Sequence, residues 1–189
     1  MVYLFQDLPT LETPRLILRK LTMDDAPDQF EYAVDRDLAY MGLWQPFETL
    51  QDSIDDIEEL LEGYRTGMAF EWAVEHREDR KMIGRLGLGQ YHAMDQRADL
   101  GYAYNRKYWG QGYGTEAAMA VLKFGFETMK LYRVGAVALH DNQASHNILE
   151  KLGMQREGIR RSATAIRGKH EDLVCYSILR PEWEAQTKS

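Results

Sequence analysis

Three glycines in five residues, Gly110, Gly112 and Gly114 within Y-W-G-Q-G-Y-G-T-E-A (108–117), constrain the fold more than any other stretch of the chain. A strand-like run precedes them and a run with helical spacing follows. Glycine permits positive φ and lets a ligand approach the main chain without meeting a Cβ, so successive N–H groups can converge on one anion. The helix that follows adds its unpaired N–H groups and the positive end of its dipole. The stretch reads as a diphosphate cradle joining a strand to a helix. A dinucleotide fingerprint needs G-x-G-x-x-G, and here the third glycine comes one place early; a P-loop needs G-x-x-x-x-G-K-[ST], and no lysine lies inside this loop. A glycine turn with no ligand is the alternative that spacing alone leaves open.

The 189 residues suit one domain with a substantial core. No apolar run approaches the length of a membrane span. Residues 1–5 are apolar but lack a basic flank, and Asp7 follows, so no signal peptide is expected. The single cysteine, Cys175, excludes an internal disulfide and fits a reducing cytosol, which points to a cytoplasmic protein. It sits in an apolar run without a paired histidine, so burial in the core is expected rather than nucleophilic chemistry. The histidines at 76, 92, 140, 146 and 170 show no metal-ligand spacing, and no metal is expected. A net charge of −7 argues against nucleic acid as a partner. Residues 48–62 hold seven carboxylates and no basic residue, whereas 154–170 hold Arg156, Arg160, Arg161, Arg167 and Lys169 against Glu157 alone. The first run would suit a cationic substrate and the second phosphates, unless both are simply solvated faces.

Residues 15–21 alternate as an early strand. Thr22 opens a helix, with Asp25 in a capping-box position and Phe30, Ala33, Val34 and Leu38 on its inner side. An aromatic, proline-broken loop covers 44–47. A second helix starts near Thr49, again with a capping box to Asp52, and ends at Gly67. The pattern then switches to a period of two, giving strands over 68–76, 82–91 and 97–104, the middle one bent by Gly84, Gly87 and Gly89. After the glycine loop come a helix, a strand over 132–139, a short helix capped by Asp141-Asn142 and ended by Gly153, and strands over 158–164 and 172–179. Residues 182–189 read as a loose tail.

The order of these elements and three blocks of text resemble the GNAT superfamily of acetyl-CoA-dependent N-acetyltransferases, particularly its ribosomal-protein N-terminal acetyltransferase branch. The blocks are A-D-L-G-Y-A-Y (98–104), the glycine loop (108–117) and D-N-Q-A-S-H-N-I-L-E-K-L-G-M (141–154). The resemblance covers residues 13–180 or so. It implies one α/β domain with a mixed, centrally splayed sheet of about seven strands flanked by helices. It also implies that Gly110, Gln111, Gly112, Tyr113, Gly114 and Thr115, with Trp109, cradle the pyrophosphate of acetyl-CoA. The strand ending at Tyr102 and Tyr104 would offer main-chain groups to the pantetheine arm and the thioester carbonyl. Asn142 would bond that arm, with Asn147 and Lys151 nearby. Trp109 departs from the wider superfamily, though it is typical of the branch. Leu149 stands where many members place a tyrosine acid, and Ser145 matches the acid proposed within the branch. A glutamate proposed as base in one group would fall near Thr164, which cannot serve.

Acetyl transfer to a primary amine needs a neutral amine, one N–H for the thioester oxygen and a proton for the thiolate. A thiol with a pKa of about 8.5 already leaves well, so a weak donor such as Ser145 suffices, unless Ser145 only satisfies a helix start. Glu71 and Asp99 are the candidate bases, with Tyr91 and His92 behind them; all four also read as ordinary strand or loop residues. Trp44, Phe47, Trp72 and Tyr102 are expected in an acceptor pocket or in the core. The expected protein is a monomer or homodimer that acetylates a protein N-terminus or a small amine. A non-catalytic acetyl-CoA sensor, a longer-chain acyltransferase and a nucleotide-dependent enzyme are the rivals.

Overall fold

The alternating runs pair into one open sheet, which the computed structural model describes over residues 8–187. In chain order the elements are β1 (Leu11–Glu12), β2 (Leu16–Arg19), α1 (Ala26–Ala33), α2 (Arg36–Gly42), α3 (Leu50–Thr66), β3 (Glu71–His76), β4 (Lys81–His92), β5 (Arg97–Tyr104), α4 (Tyr113–Lys123), β6 (Arg133–Leu139), α5 (Gln143–Lys151), β7 (Gln155–Ile166), β8 (Lys169–Leu179) and α6 (Arg180–Thr187). The strand order is β1-β2-β3-β4-β5-β6-β8-β7. The mixed, splayed sheet expected from the sequence is present, its eighth member being the two-residue edge strand β1.

Every neighbouring pair is antiparallel except β5 and β6. That parallel pair holds only over Arg97↔Arg133, Ala98↔Val134 and Asp99↔Gly135. Beyond it β5 stays paired to β4 as far as Tyr104, and β6 stays paired to β8 as far as Leu139. The two strands therefore diverge, and each presents an unpaired edge to a V-shaped gap.

Both faces of the β2–β5 half are covered. Trp72, Val74, Ile83 and Leu86 pack with Ala117, Ala118, Val121 and Leu122 of α4, while Ala73 and Met82 meet Ala26 of α1 and Ile57 and Leu60 of α3. The two-sided burial explains why β3 is apolar at 72, 73 and 74 in succession. The capping boxes at Thr22 and Thr49 and the left-handed Gly67 stand as expected.

Three expectations change. The helix predicted after Thr22 is a short 3-10 turn followed by α1 and a separate α2, because the Asp35 side chain accepts from the N–H groups of Asp37 and Leu38 and starts a new helix. Val34 is consequently exposed at the break. Of residues 182–189, read as a loose tail, 182–187 belong to α6 (Arg180–Thr187), with Trp183 stacked on Phe126 at 5.5 Å; residues 188–189, and the apolar 1–5 stretch, lie outside the described residues. Cys175 is half-buried rather than in the core, since β8 carries it on the face opposite α5.

Candidate active site

The glycine loop takes the shape its composition demands. Gly110 and Gly112 have φ of +74° and +83°, and Gly112 is the N-cap of α4. A Cβ at Gly110 would meet nothing within 4 Å, so the backbone there is open to a ligand. Among the described residues, no acceptor is bonded by the backbone N–H groups of Gly110 to Thr115. Six consecutive donors at a helix start are an anion site in waiting, and the residues fit a diphosphate.

Side chains brace this loop from outside. Arg15 donates to the Gln111 carbonyl at 2.9 Å, pairs with Glu116 at 2.6 Å and lies over the Tyr113 ring. Glu116 also accepts from the Thr13 hydroxyl and the Arg15 N–H. Burial raises the Glu116 pKa, but these partners prevail and hold it below its ordinary value. On the other flank His76 Nε2 meets the Tyr113 hydroxyl at 2.9 Å, and Tyr108 donates to Asp79 at 2.7 Å. Burial first, then Asp79, push the Tyr108 pKa up to about 12.

From the loop a cleft of about 260 Å³ runs along the end of β5 that has left β6, with α5 as its other wall. It is lined by Tyr102, Tyr104, Trp109, Gly110, Gly112, Tyr113, Gly114, Thr115, Asn142, Ser145, Asn147 and Lys151 among others, so the sequence-named coenzyme residues converge with one exception. Gln111 turns its side chain away, donating to the Lys107 carbonyl at 3.2 Å, and only its main chain belongs to the cradle. Two further residues are partly committed elsewhere. Trp109 Nε1 donates to the Tyr104 carbonyl at 2.8 Å, which pins the loop to the end of β5. Asn142 caps α5 through the Ser145 N–H and donates to the Met41 carbonyl. Asn147 accepts from Gln143, and Lys151 makes no ion pair among the described residues. Burial pushes the Tyr102 pKa up to about 12, so its hydroxyl stays protonated where it donates to the Ser145 carbonyl at 3.4 Å.

A second cavity of about 460 Å³ lies on the α1–α3 side of β5. Gly42, Trp44, Tyr102 and Ala103 line both, so the two meet where β5 leaves β6. Glu71 and Asp99, the candidate bases, both line the second cavity, with Trp44 and Phe47 as aromatic walls. Their surroundings differ. Glu71 pairs with Arg85 at 3.2 Å, and Arg85 also pairs with Asp56. The Asp99 carboxylate has no hydrogen bond or close ion pair among the described residues, lies over Gly135 and has Arg133 as a more distant opposite charge. Tyr91 and His92 do not line the cavity: Tyr91 packs on Phe70 and His92 pairs with Asp95. Trp72 is core, its indole N–H donating to the Pro9 carbonyl. Sequence reasoning missed Gln29, Tyr32, Asp56 and Arg85 in this cavity and Arg15 behind the loop. Arg85 left one trace, a charge inside the apolar run M-I-G-R-L-G-L.

Residues 15–155 match the model of the acetyltransferase (GNAT) domain family. The chain belongs to the GNAT acetyltransferases. This GNAT chain is 35% identical over 177 residues to an uncharacterised N-acetyltransferase, YoaA, of Bacillus subtilis, covering 92% of itself and 98% of that relative. It is 24% identical to the ribosomal protein uS5-alanine N-acetyltransferase of Escherichia coli, over 92% of each chain. A crystal structure of a GNAT-family acetyltransferase from Bacillus anthracis superposes with a TM-score of 0.82 at 27% identity, covering 92% of this chain and 99% of that one. Acetyl-CoA is the cosubstrate of the family, and the chain is an N-acetyltransferase.

Proposed function

We propose that the cleft behind the glycine loop seats the acetyl donor, that the second cavity seats a small primary amine, and that the two meet at Tyr102–Ala103. The observation that carries this reading is the shared wall: Gly42, Trp44, Tyr102 and Ala103 border both cavities at the point where the sheet opens. Acetyl-CoA supplies an acetyl group already activated as a thioester. The loop N–H groups and the α4 terminus hold its diphosphate, and the free edge of β5 offers an N–H to the carbonyl oxygen. Ser145 Oγ, which lines the cleft beside the Tyr102 hydroxyl, holds a proton for the departing sulfur.

Of the two candidate bases we assign Asp99. Its carboxylate is free to take a proton from the incoming ammonium, directly or through water, whereas Glu71 is held by Arg85. Asp99→Asn is expected to lower kcat/KM for amines about 100-fold with KM for acetyl-CoA within twofold or so, while Ser145→Ala lowers kcat about tenfold. An Asp99→Asn enzyme with full activity would remove Asp99 from this role. A protein N-terminus is the second reading, favoured by the similarity to the uS5-alanine enzyme. The proposal further takes residues 1–189 as one acetyltransferase domain acting in the cytoplasm as a monomer or homodimer; no helix among the described residues is long and apolar enough to cross a membrane.

The donor assignment is tested by thermal shift with acetyl-CoA, CoA, NAD and ATP. At 100-fold excess over the dissociation constant a ligand adds about 2.7 kcal/mol, or several degrees for a chain of this size. A shift with acetyl-CoA and CoA alone is expected. A shift with ATP or NAD instead would return the loop to nucleotide binding, and acetyl-CoA binding without thiol release over an amine panel would favour a sensor.

A further inference from the structure

The floor of the second cavity is more polar than a hydrophobic acceptor would require. Gln29, 2% exposed, and Tyr32, 4% exposed, both line it, and Gln29 Oε1 and the Tyr32 hydroxyl have no hydrogen-bond partner among the described residues. The Gln29 amide cannot be turned over to solve this. Its Nε2 donates to Asp56 at 2.7 Å, and only the NH₂ end can face a carboxylate. A buried polar atom left unpaired is costly, so two of them beside one cavity call for a ligand group there.

The charges around them say which kind. Asp56, Glu71 and Asp99 line the cavity against Arg85 alone, three carboxylates to one guanidinium, a surplus of two negative charges. Arg85 is already engaged by Asp56 and Glu71 and has little left to offer an anion. Negative charge thus outnumbers positive around the cavity, and at the floor Gln29 Oε1 accepts only, while the Tyr32 hydroxyl accepts as well as donates. We infer that the cavity binds a small diamine: one nitrogen waits beside Asp99 to be acetylated, and the second, a spectator ammonium, sits against Gln29 Oε1, the Tyr32 hydroxyl and Asp56. A carboxylate-bearing amine is repelled by the same surplus. A peptide N-terminus brings carbonyls, and of the two unpaired floor atoms only the Tyr32 hydroxyl can donate to one.

The inference rests on reading this cavity as the acceptor side, and binding separates it from chemistry. The CoA-saturated protein is titrated calorimetrically with α,ω-diamines of three to six carbons, with the monoamines of equal length, and with a free-N-terminal tetrapeptide. The best diamine is expected to bind at least tenfold or so more tightly than its monoamine. Tyr32→Phe, which removes one oxygen and little shape, should shrink that ratio about threefold to tenfold, and Gln29→Leu should do likewise. Equal affinity for diamines and monoamines, no binding of any diamine, a ratio that survives both substitutions, or tighter binding of the tetrapeptide would each overturn the inference. Thiol release from acetyl-CoA is then followed with the same amines. Diamine preference in binding without release would overturn acetyl transfer and leave the ligand class standing, whereas release at equal kcat/KM for both series would overturn the diamine and leave the transfer.

Discussion

At Gly112 two properties of one residue meet, a positive φ and a place in the proposed anion cradle, and they separate by substitution. Gly112→Ala strains the backbone, costing about 1–2 kcal/mol of stability, but leaves the N–H groups in place, so acetyl-CoA binding should persist. Gly112→Glu adds a carboxylate where the diphosphate is held, and binding measured by calorimetry should vanish. Behind the loop, Glu116→Gln removes the charge that anchors Arg15. The pair is half exposed at Arg15, so the loss is moderate: we expect about a threefold to tenfold rise in KM for acetyl-CoA with little change in kcat. The shape of the glycine loop was legible in the sequence because it is local: glycines, a strand before, a helix after. Arg15 was not, since its partner lies 101 residues away and nothing in R-L-I-L-R marks which arginine turns back to a loop.

Among the elements, the Glu31 carboxylate ties α1 both to β4 and to the turn ahead of the glycine loop. Glu31 accepts from Lys107 at 2.7 Å and from Asn105 at 3.1 Å, ahead of the glycine loop, and pairs with Lys81 at the start of β4. The Lys107 and Lys81 bonds hold its pKa down at about 2, against an ordinary 4.5. A depressed carboxylate stabilises the fold fully above its unfolded pKa and loses that contribution as pH falls through the folded one, here between about 4.5 and 2. Solvent screening at so accessible a group trims the contribution to about 1 kcal/mol. Glu31→Gln should therefore lower the melting temperature at pH 7 by about 2–4 °C, and the difference should close as the pH approaches 2; a constant gap would show that Glu31 acts through shape alone. Element boundaries were legible where caps were written locally, at Thr22, Thr49, Gly67 and Asn142. They were not where packing decided. The break at Asp35 interrupts an apolar spacing that runs on unbroken to Leu38, and α6 is secured by Phe126, which the sequence of the tail does not reveal.

At the scale of the molecule, three residue pairs between β5 and β6 carry the hydrogen bonding between two half-sheets. A donor seated in the gap would supply groups to both free edges. Amide hydrogen exchange in residues 100–104 and 136–139 should slow together when acetyl-CoA binds, while the β7–β8 hairpin is unaffected; slowing on one edge alone would mean that the ligand does not span the gap. The second cavity was not legible from sequence, because three helices, four strands and the loop after α2 all contribute residues to it and no single segment carries its pattern. That contrast has an evolutionary consequence. On the proposed assignment the donor is gripped by main chain, which mutation of side chains cannot erase, while the acceptor is chosen by side chains scattered over many elements. A lineage of such proteins can exchange one acceptor for another by single substitutions and never lose its donor along the way, so shared ancestry at a quarter to a third of identical positions preserves the reaction and says little about what is acetylated.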